Sequence, residues 1–178
     1  EMPAVAVTDH GNMFGAVEFY REAKSQGVKA ILGCEVYLAP GSRFEKGIKG
    51  AKLSTPQTYA RLVLLAMNVE GYRNLCQLVS RGYTEGFYYR PRIDYEILKQ
   101  YNENLIALSS SLFGDVPQAF LQQGPEAAKE KIKFYQGIFG DRFYLEVQRN
   151  GGESRGKDWE TVIEFYKSVS PELGVKVV

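Results

Sequence analysis

Three side chains able to bind metal or move protons stand at the ends of apolar runs. Asp9 and His10 close "AVAVTDHG", and Glu35 lies in "AILGCEVYLA". Two carboxylates and an imidazole brought to one sheet edge are a donor set for zinc or manganese. His10 is, however, the only histidine in the chain, and multi-metal hydrolytic sites generally draw on several imidazoles. The plainer reading stands beside it: Asp9 caps the turn that begins at Gly11, and His10 is a polar corner. The serines of "SSSLFGD" (109–115) follow another apolar run. They suit a phosphate or a nucleophile, but no G-x-S-x-G elbow surrounds them and His10 is the sole candidate base. A turn with capping serines is the simpler expectation. "GSRFEKGIKGAK" (41–52) lacks the P-loop spacing. "GFYYRPRID" (86–94) combines aromatic rings with Arg90 and Arg92. That mixture can stack on a nucleic acid strand, although a packed aromatic belt ahead of a helix is favoured.

The elements that must position these groups are legible from hydrophobic periodicity. Short apolar runs recur at 4–7, 30–39, 61–67, 105–111, 143–148 and 175–178. Their near-continuous apolarity predicts parallel strands covered on both faces. Helical periodicity fills the gaps at 13–27, 71–83, 125–140 and 158–169. The first of these helices places Phe14, Val17 and Tyr20 on one face. The second uses Leu75, Leu78 and Val79, and the last buries Trp159, Val162, Ile163 and Tyr166. Pro125 suits a first helical turn, and Gly27 and Gly140 suit helix ends. Alternating strands and helices predict an α/β fold, either an open wound sheet or a closed barrel. Functional residues in both gather beyond the C-terminal strand ends. The Gly-, Lys- and Ser-rich stretch from Pro40 to Thr58 is expected to be a mobile loop.

The 178 residues suffice for one domain, with 44% apolar and 24% charged residues as in a soluble globular chain. No membrane span is expected, and a net charge of +1 gives no global attraction for nucleic acid. Cys34 and Cys76 lie inside apolar runs, as buried thiols of a reducing compartment do. An apolar run begins almost at once and another is just starting at "GVKVV". The chain is therefore expected to be an excerpt of a longer polypeptide.

Taken together, "MPAVAVTDHGNMFGAVEFYREAKSQGVKAILGCEVYLAPGSRF", "LVLLAMNVEGYRNLCQLVSRGYTEGFYYRPRID", "LIALSSSLFGDVPQAFL" and "FGDRFYLEVQRNG" resemble the PHP (polymerase and histidinol phosphatase) domain. The form they resemble is that of the bacterial DNA polymerase III alpha subunit, and the likeness covers nearly the whole chain in order. It implies a distorted (β/α)7 barrel, truncated at both ends, with residues 1–178 a PHP domain fragment and the palm, fingers and thumb elsewhere. A paired-histidine strand would precede Glu1, and an Asp-x-His motif would follow Val178. The resemblance puts His10 and Glu35 on metal-ligand positions.

Three positions depart from the family pattern. Arg61 stands where a histidine precedes "LVLLA", Ser111 where a cysteine is usual, and Asn150 where a histidine often follows "LE-x-Q". A guanidinium has no lone pair to offer, and it places a cation where a metal would sit. A serine hydroxyl is a far poorer ligand than a thiolate. Arg61 is expected to pair with Glu35 or Asp9 instead. The resemblance then implies a structural and docking module of a replicative DNA-directed DNA polymerase, with no catalytic residue on this chain. His10 and Glu35 are vestigial metal positions, with zinc or manganese bound only if the site survives. The implied partners are the remaining polymerase domains, the proofreading exonuclease subunit, and DNA through the parent protein, in the bacterial cytoplasm. The alternative is a metal-dependent phosphoesterase or proofreading nuclease domain. A stand-alone phosphatase is disfavoured by the polymerase-type "EGYRNL" and "GFYYRPRID".

Overall fold

A computed structural model describes residues 2–46, 59–148 and 156–178. The chain runs through β1 (Ala4–His10), α1 (Ala16–Ser25), β2 (Lys29–Leu38), β3 (Ala60–Ala66), α2 (Val69–Thr84), β4 (Arg92–Ile93) and α3 (Tyr95–Gln100). It continues through β5 (Leu105–Leu108), α4 (Asp115–Gln123), α5 (Pro125–Phe139), β6 (Phe143–Leu145), α6 (Gly156–Leu173) and β7 (Lys176–Val177). Among the described residues the strands form one sheet in the order β1-β2-β3-β5-β6-β7, with β4 added beside β2. The α/β class read from the sequence is what the fold has. No helix of the described residues is long and apolar enough to cross a membrane.

One strand departs from the all-parallel expectation. β3 lies antiparallel to both β2 and β5, whereas the β1–β2, β2–β4, β5–β6 and β6–β7 pairs are parallel. Parallel neighbours require a crossover, and α1 supplies one between β1 and β2. An antiparallel strand can be entered from the end at which its partner stops. The chain leaves β2 at Leu38 and enters β3 at Ala60, which is Leu38's register partner. β3 therefore joins two parallel halves of the sheet.

Side chains alternate across the strands. Cys34, Val36 and Leu38 of β2 share a face with Leu62 and Leu64 of β3, and all belong to the core. Helices cover this face with Leu75 and Leu78 from α2, Ile97 and Leu98 from α3, Ile132 and Tyr135 from α5, and Val162 and Tyr166 from α6. Each fully buried large aliphatic side chain here contributes about 1.5–3 kcal/mol before entropy is counted. Phe120 of α4 stacks on Phe165 of α6 at 4.3 Å, which fixes those two helices against each other. Leu75 and Leu78 are buried as the periodicity requires, as are Val162 and Tyr166, while Val79, Trp159 and Ile163 are only half-buried.

The helix ends follow their sequence signals. Asn68 caps α2 by accepting from Gly71 N at 3.0 Å, and Asp94 caps α3 by accepting from Ile97 N at 3.2 Å. Pro125 opens α5, and Gly140 ends it at a φ of 61°. Two expectations are corrected. Phe14, Val17 and Tyr20 are 82%, 56% and 48% exposed, so the apolar face of α1 does not meet the core; the small Ala16 and Ala23 do. The start of the Pro40–Thr58 stretch is anchored rather than mobile. Arg43 is 7% exposed, donates to Asp94 at 3.1 Å and contacts Glu85 at 2.5 Å. Residues 47–58 lie outside the described residues, as does Asn150.

Candidate functional site

Strand register brings the predicted pair together. His10 of β1 is the partner of Glu35 on β2, and Tyr37 two residues on is the partner of Arg61 on β3. All four share the sheet face opposite the helical core. Glu35 is 7% exposed, so its carboxylate has left water and needs partners. His10 Nδ1 lies 2.7 Å from Glu35 Oε2. Nδ1 therefore carries the proton and donates, which leaves Nε2 as the imidazole's free lone pair when the ring is neutral. Ser110 Oγ donates to Glu35 Oε1 at 2.5 Å. Arg61 Nη1 approaches the same Oε1 at 3.7 Å, close enough for an ion pair but too far for a hydrogen bond.

Arg61 is held by more than charge. Its guanidinium sits 4.8 Å from the Phe113 ring centroid and 5.9 Å from that of Tyr37. Its backbone N donates to Phe113 O at 3.0 Å. Its Nε is buried and has no hydrogen-bond partner. Of the two carboxylates offered to Arg61 by the sequence, Glu35 is the one it pairs with.

The serine turn brings a different residue to the site from the one its motif suggested. Ser110 is fully buried and reaches Glu35, while Ser111 Oγ accepts from Phe113 N at 3.3 Å within the turn. Ser110 adopts a φ of 64°, in the left-handed region that non-glycine residues rarely occupy. The turn closes because Gly114 has no side chain: a Cβ there would sit 1.8 Å from Ser109 O.

Glu146, just beyond β6, completes the group and was missed in the sequence. Its backbone N donates to Ser109 Oγ at 2.8 Å, and its Oε1 accepts from Gln148 Nε2 at 2.6 Å. Its Oε2 is buried without a partner. Burial, with a smaller contribution from the nearby Glu35 charge, raises its carboxyl above the usual range. The only sequence signal was an acid at the end of an apolar run. Cys34 is fully buried on the opposite face, and burial pushes its thiol up to about 12, so it offers no thiolate.

The rim is built by the "DHGN" turn. Asn12 holds this turn rather than Asp9: its Oδ1 accepts from Phe14 N at 3.0 Å and its Nδ2 donates to His10 O at 3.1 Å. Gly11 has a φ of 68°, and a Cβ there would meet Pro91 and Tyr37 within 3 Å. The aromatic stretch at 86–94 is not a packed belt throughout. Phe87 and Tyr89 are 51% and 62% exposed, and Phe87 stacks on Tyr83, which in turn contacts Phe14. Arg92, by contrast, is buried and donates to the backbone oxygens of Gly86 and Glu45.

One imidazole and one buried carboxylate are already bonded to each other, and a guanidinium faces the carboxylate. Among the described residues, no three His, Cys, Asp or Glu side chains converge as a metal site.

The model of the PHP domain matches residues 1–150. The DNA polymerase III alpha subunit of Chlamydia muridarum is 50% identical across 98% of this chain, that of Thermus aquaticus 46% across 93% of it, and that of Deinococcus radiodurans 40% across 100% of it. The chain spans only 13–14% of these relatives' own length. It belongs to the PHP domain family, in the form carried by DNA polymerase III alpha subunits.

Proposed function

We propose that this chain is the PHP region of a bacterial replicative DNA-directed DNA polymerase and serves there as a structural and docking module. The observation that carries the reading is Arg61. Its fixed positive charge lies 3.7 Å from Glu35 Oε1, where it opposes a second cation on that carboxylate. Ser110 and His10 each donate one hydrogen bond to the same carboxylate. His10 and Glu35 are in this reading vestigial ligand positions, converted into a polar clasp between β1, β2 and the serine turn. Support for the parent polymerase comes from relatives that carry this stretch within much longer subunits.

The same reading places the sheet within a PHP-type distorted (β/α)7 barrel. Support comes from the seven strands and from polar groups gathered on the face away from the helices. The proofreading exonuclease subunit docks on the assembled polymerase, DNA is engaged through the parent protein, and the setting is the cytoplasm. Nucleotidyl transfer belongs to other parts of the subunit.

The test uses the full-length subunit. Purified protein should extend a primer, carry little zinc or manganese by elemental analysis, and show background phosphoesterase activity whether or not manganese is added. His10→Ala should leave all three unchanged. Stoichiometric metal, with phosphoesterase activity lost in His10→Ala, would replace this reading with that of a metal-dependent phosphoesterase or nuclease.

A further inference from the structure

Among the described residues the outer layer of helices leaves a gap at the β2–β3 seam, where the strands run antiparallel. A parallel connection from β2 would have laid a crossover helix over the β2–β3 seam. The antiparallel pairing of β2 with β3 requires none. α1 covers one side of the seam and α2 the other. Between them runs a trough of about 650 Å³, floored by Ala30 and Leu32 of β2 and Ala66 of β3. This floor lies on the helix-facing side of the sheet, toward the start of β2, whereas Glu35 sits in the later half of that strand on the opposite face.

The walls of the trough are apolar and open to solvent. Val17 and Tyr20 of α1 are 56% and 48% exposed, and Met67 and Val69, beside and within α2, are 53% and 65% exposed. A helix normally turns such a face to the core; α1 turns it into the trough. The charged residues lining the trough are Arg21 and Lys24. Both are cations, and neither has an ion pair among the described residues. An apolar trough between two helices with a cationic lip matches the helix-in-groove mode of recognition.

We infer that this trough is the docking site of an amphipathic helix with acidic flanking residues, supplied by the same polypeptide from outside residues 1–178. The helix fills the place that a β2–β3 crossover would have taken. Its apolar stripe covers Val17, Tyr20 and Met67, and its carboxylates meet Arg21 and Lys24. The source rests on the proposed polymerase reading, since relatives carry about six-sevenths of their length outside the matched stretch. A tethered helix also reaches the trough at high effective concentration.

The test places a photo-crosslinking benzoylphenylalanine at Val17 or at Met67 of the full-length subunit, purified alone. Illumination at high dilution should give an adduct within one chain, mapped by mass spectrometry to an acidic, apolar-striped helix outside residues 1–178. Arg21→Glu with Lys24→Glu should lower the adduct yield at least fivefold without changing primer extension. An adduct to residues 47–58, to a second copy, or only to an added protein or DNA would overturn the inference, as would no adduct. Failed primer extension by the unsubstituted subunit would instead count against the polymerase reading and leave the crosslink result standing.

Discussion

Replacing Arg61 by alanine should loosen the clasp around Glu35 without breaking it. Two unit charges 3.7 Å apart attract by about 4–5 kcal/mol at an effective dielectric constant of ~20, a gross figure rather than a net one. Against it stands the cost of desolvating the guanidinium. Its Nε is buried without a partner, an arrangement that costs about 1–3 kcal/mol. The Phe113 ring returns roughly 0.5–1 kcal/mol. Arg61 is also 22% exposed, so water screens part of the attraction. The net loss on truncation is then about 1–2 kcal/mol. A buried carboxylate stripped of its partner would cost about 3–5 kcal/mol, but Glu35 keeps both His10 and Ser110. Hydrogen exchange in the full-length subunit reads this directly. Amides of β2 and β3 should exchange about 5- to 30-fold faster, those numbers being the Boltzmann equivalent of the same energies. Amides of α5 serve as the internal reference. Acceleration beyond about 100-fold would mean that Arg61 is the main partner of Glu35, and no acceleration would mean that the ion pair is energetically empty. The first result refutes the ranking of His10 and Ser110 above Arg61, and the second refutes the net energy assigned to the ion pair.

Other perturbations follow from the same geometry. Gly114→Ala forces a Cβ to within 1.8 Å of Ser109 O and should cost at least about 3 kcal/mol, seen as loss of soluble protein; Gly137→Ala, in the last turn of α5 with nothing within 4 Å, should stabilise by up to about 0.5 kcal/mol. Arg43→Ala removes a buried cation from Asp94 and Glu85, but Asp94 keeps backbone donors from Arg43 N and Ile97 N. The expected loss is about 2–4 kcal/mol, with new proteolytic cleavage between Pro40 and Lys46; unchanged resistance there would count against the anchoring role. Glu146 titrates with its folded value raised by burial, so the folded state binds the extra proton and stability falls as pH rises from the ordinary carboxyl value through the folded one. Glu146→Gln should remove that slope and be the more stable form at pH 7–8, and a thermal-shift series showing the wild type more stable there would contradict it.

The strand–helix alternation was plain in the sequence because buried strands and amphipathic helices carry different periods. The direction of β3 was not, since "RLVLLA" reads alike as a buried strand of either sense. α4 escaped notice because it begins inside the serine-turn region and carries Pro117, tolerated in its first turn. The meeting of His10 with Glu35 could be anticipated from strand ends and was confirmed by register. The exchange of Ser111 for Ser110 depended on a left-handed residue that no motif announces. Glu146 was one acid among many until folding buried it. Arg43 was hidden by its company: glycines and lysines gave the stretch a loop's composition, while one arginine within it was reaching a buried aspartate. The apolar face of α1 had the right period for a core and the wrong neighbour.

The position of β3 between two parallel halves also sets a timetable for the nascent chain. β1, β2 and β3 leave the ribosome in the order in which they pair. The second partner of β3 is β5, which begins at Leu105, thirty-nine residues after β3 ends at Ala66. At a synthesis rate of roughly 5–20 residues per second, the far edge of β3 waits about 2–8 s before its partner is even made. During that interval an apolar strand bares its unpaired amides to every other chain on the same messenger. Ribosome-bound chains halted between β3 and β5 should therefore be the form that recruits chaperones, and chains halted after β6 should release them.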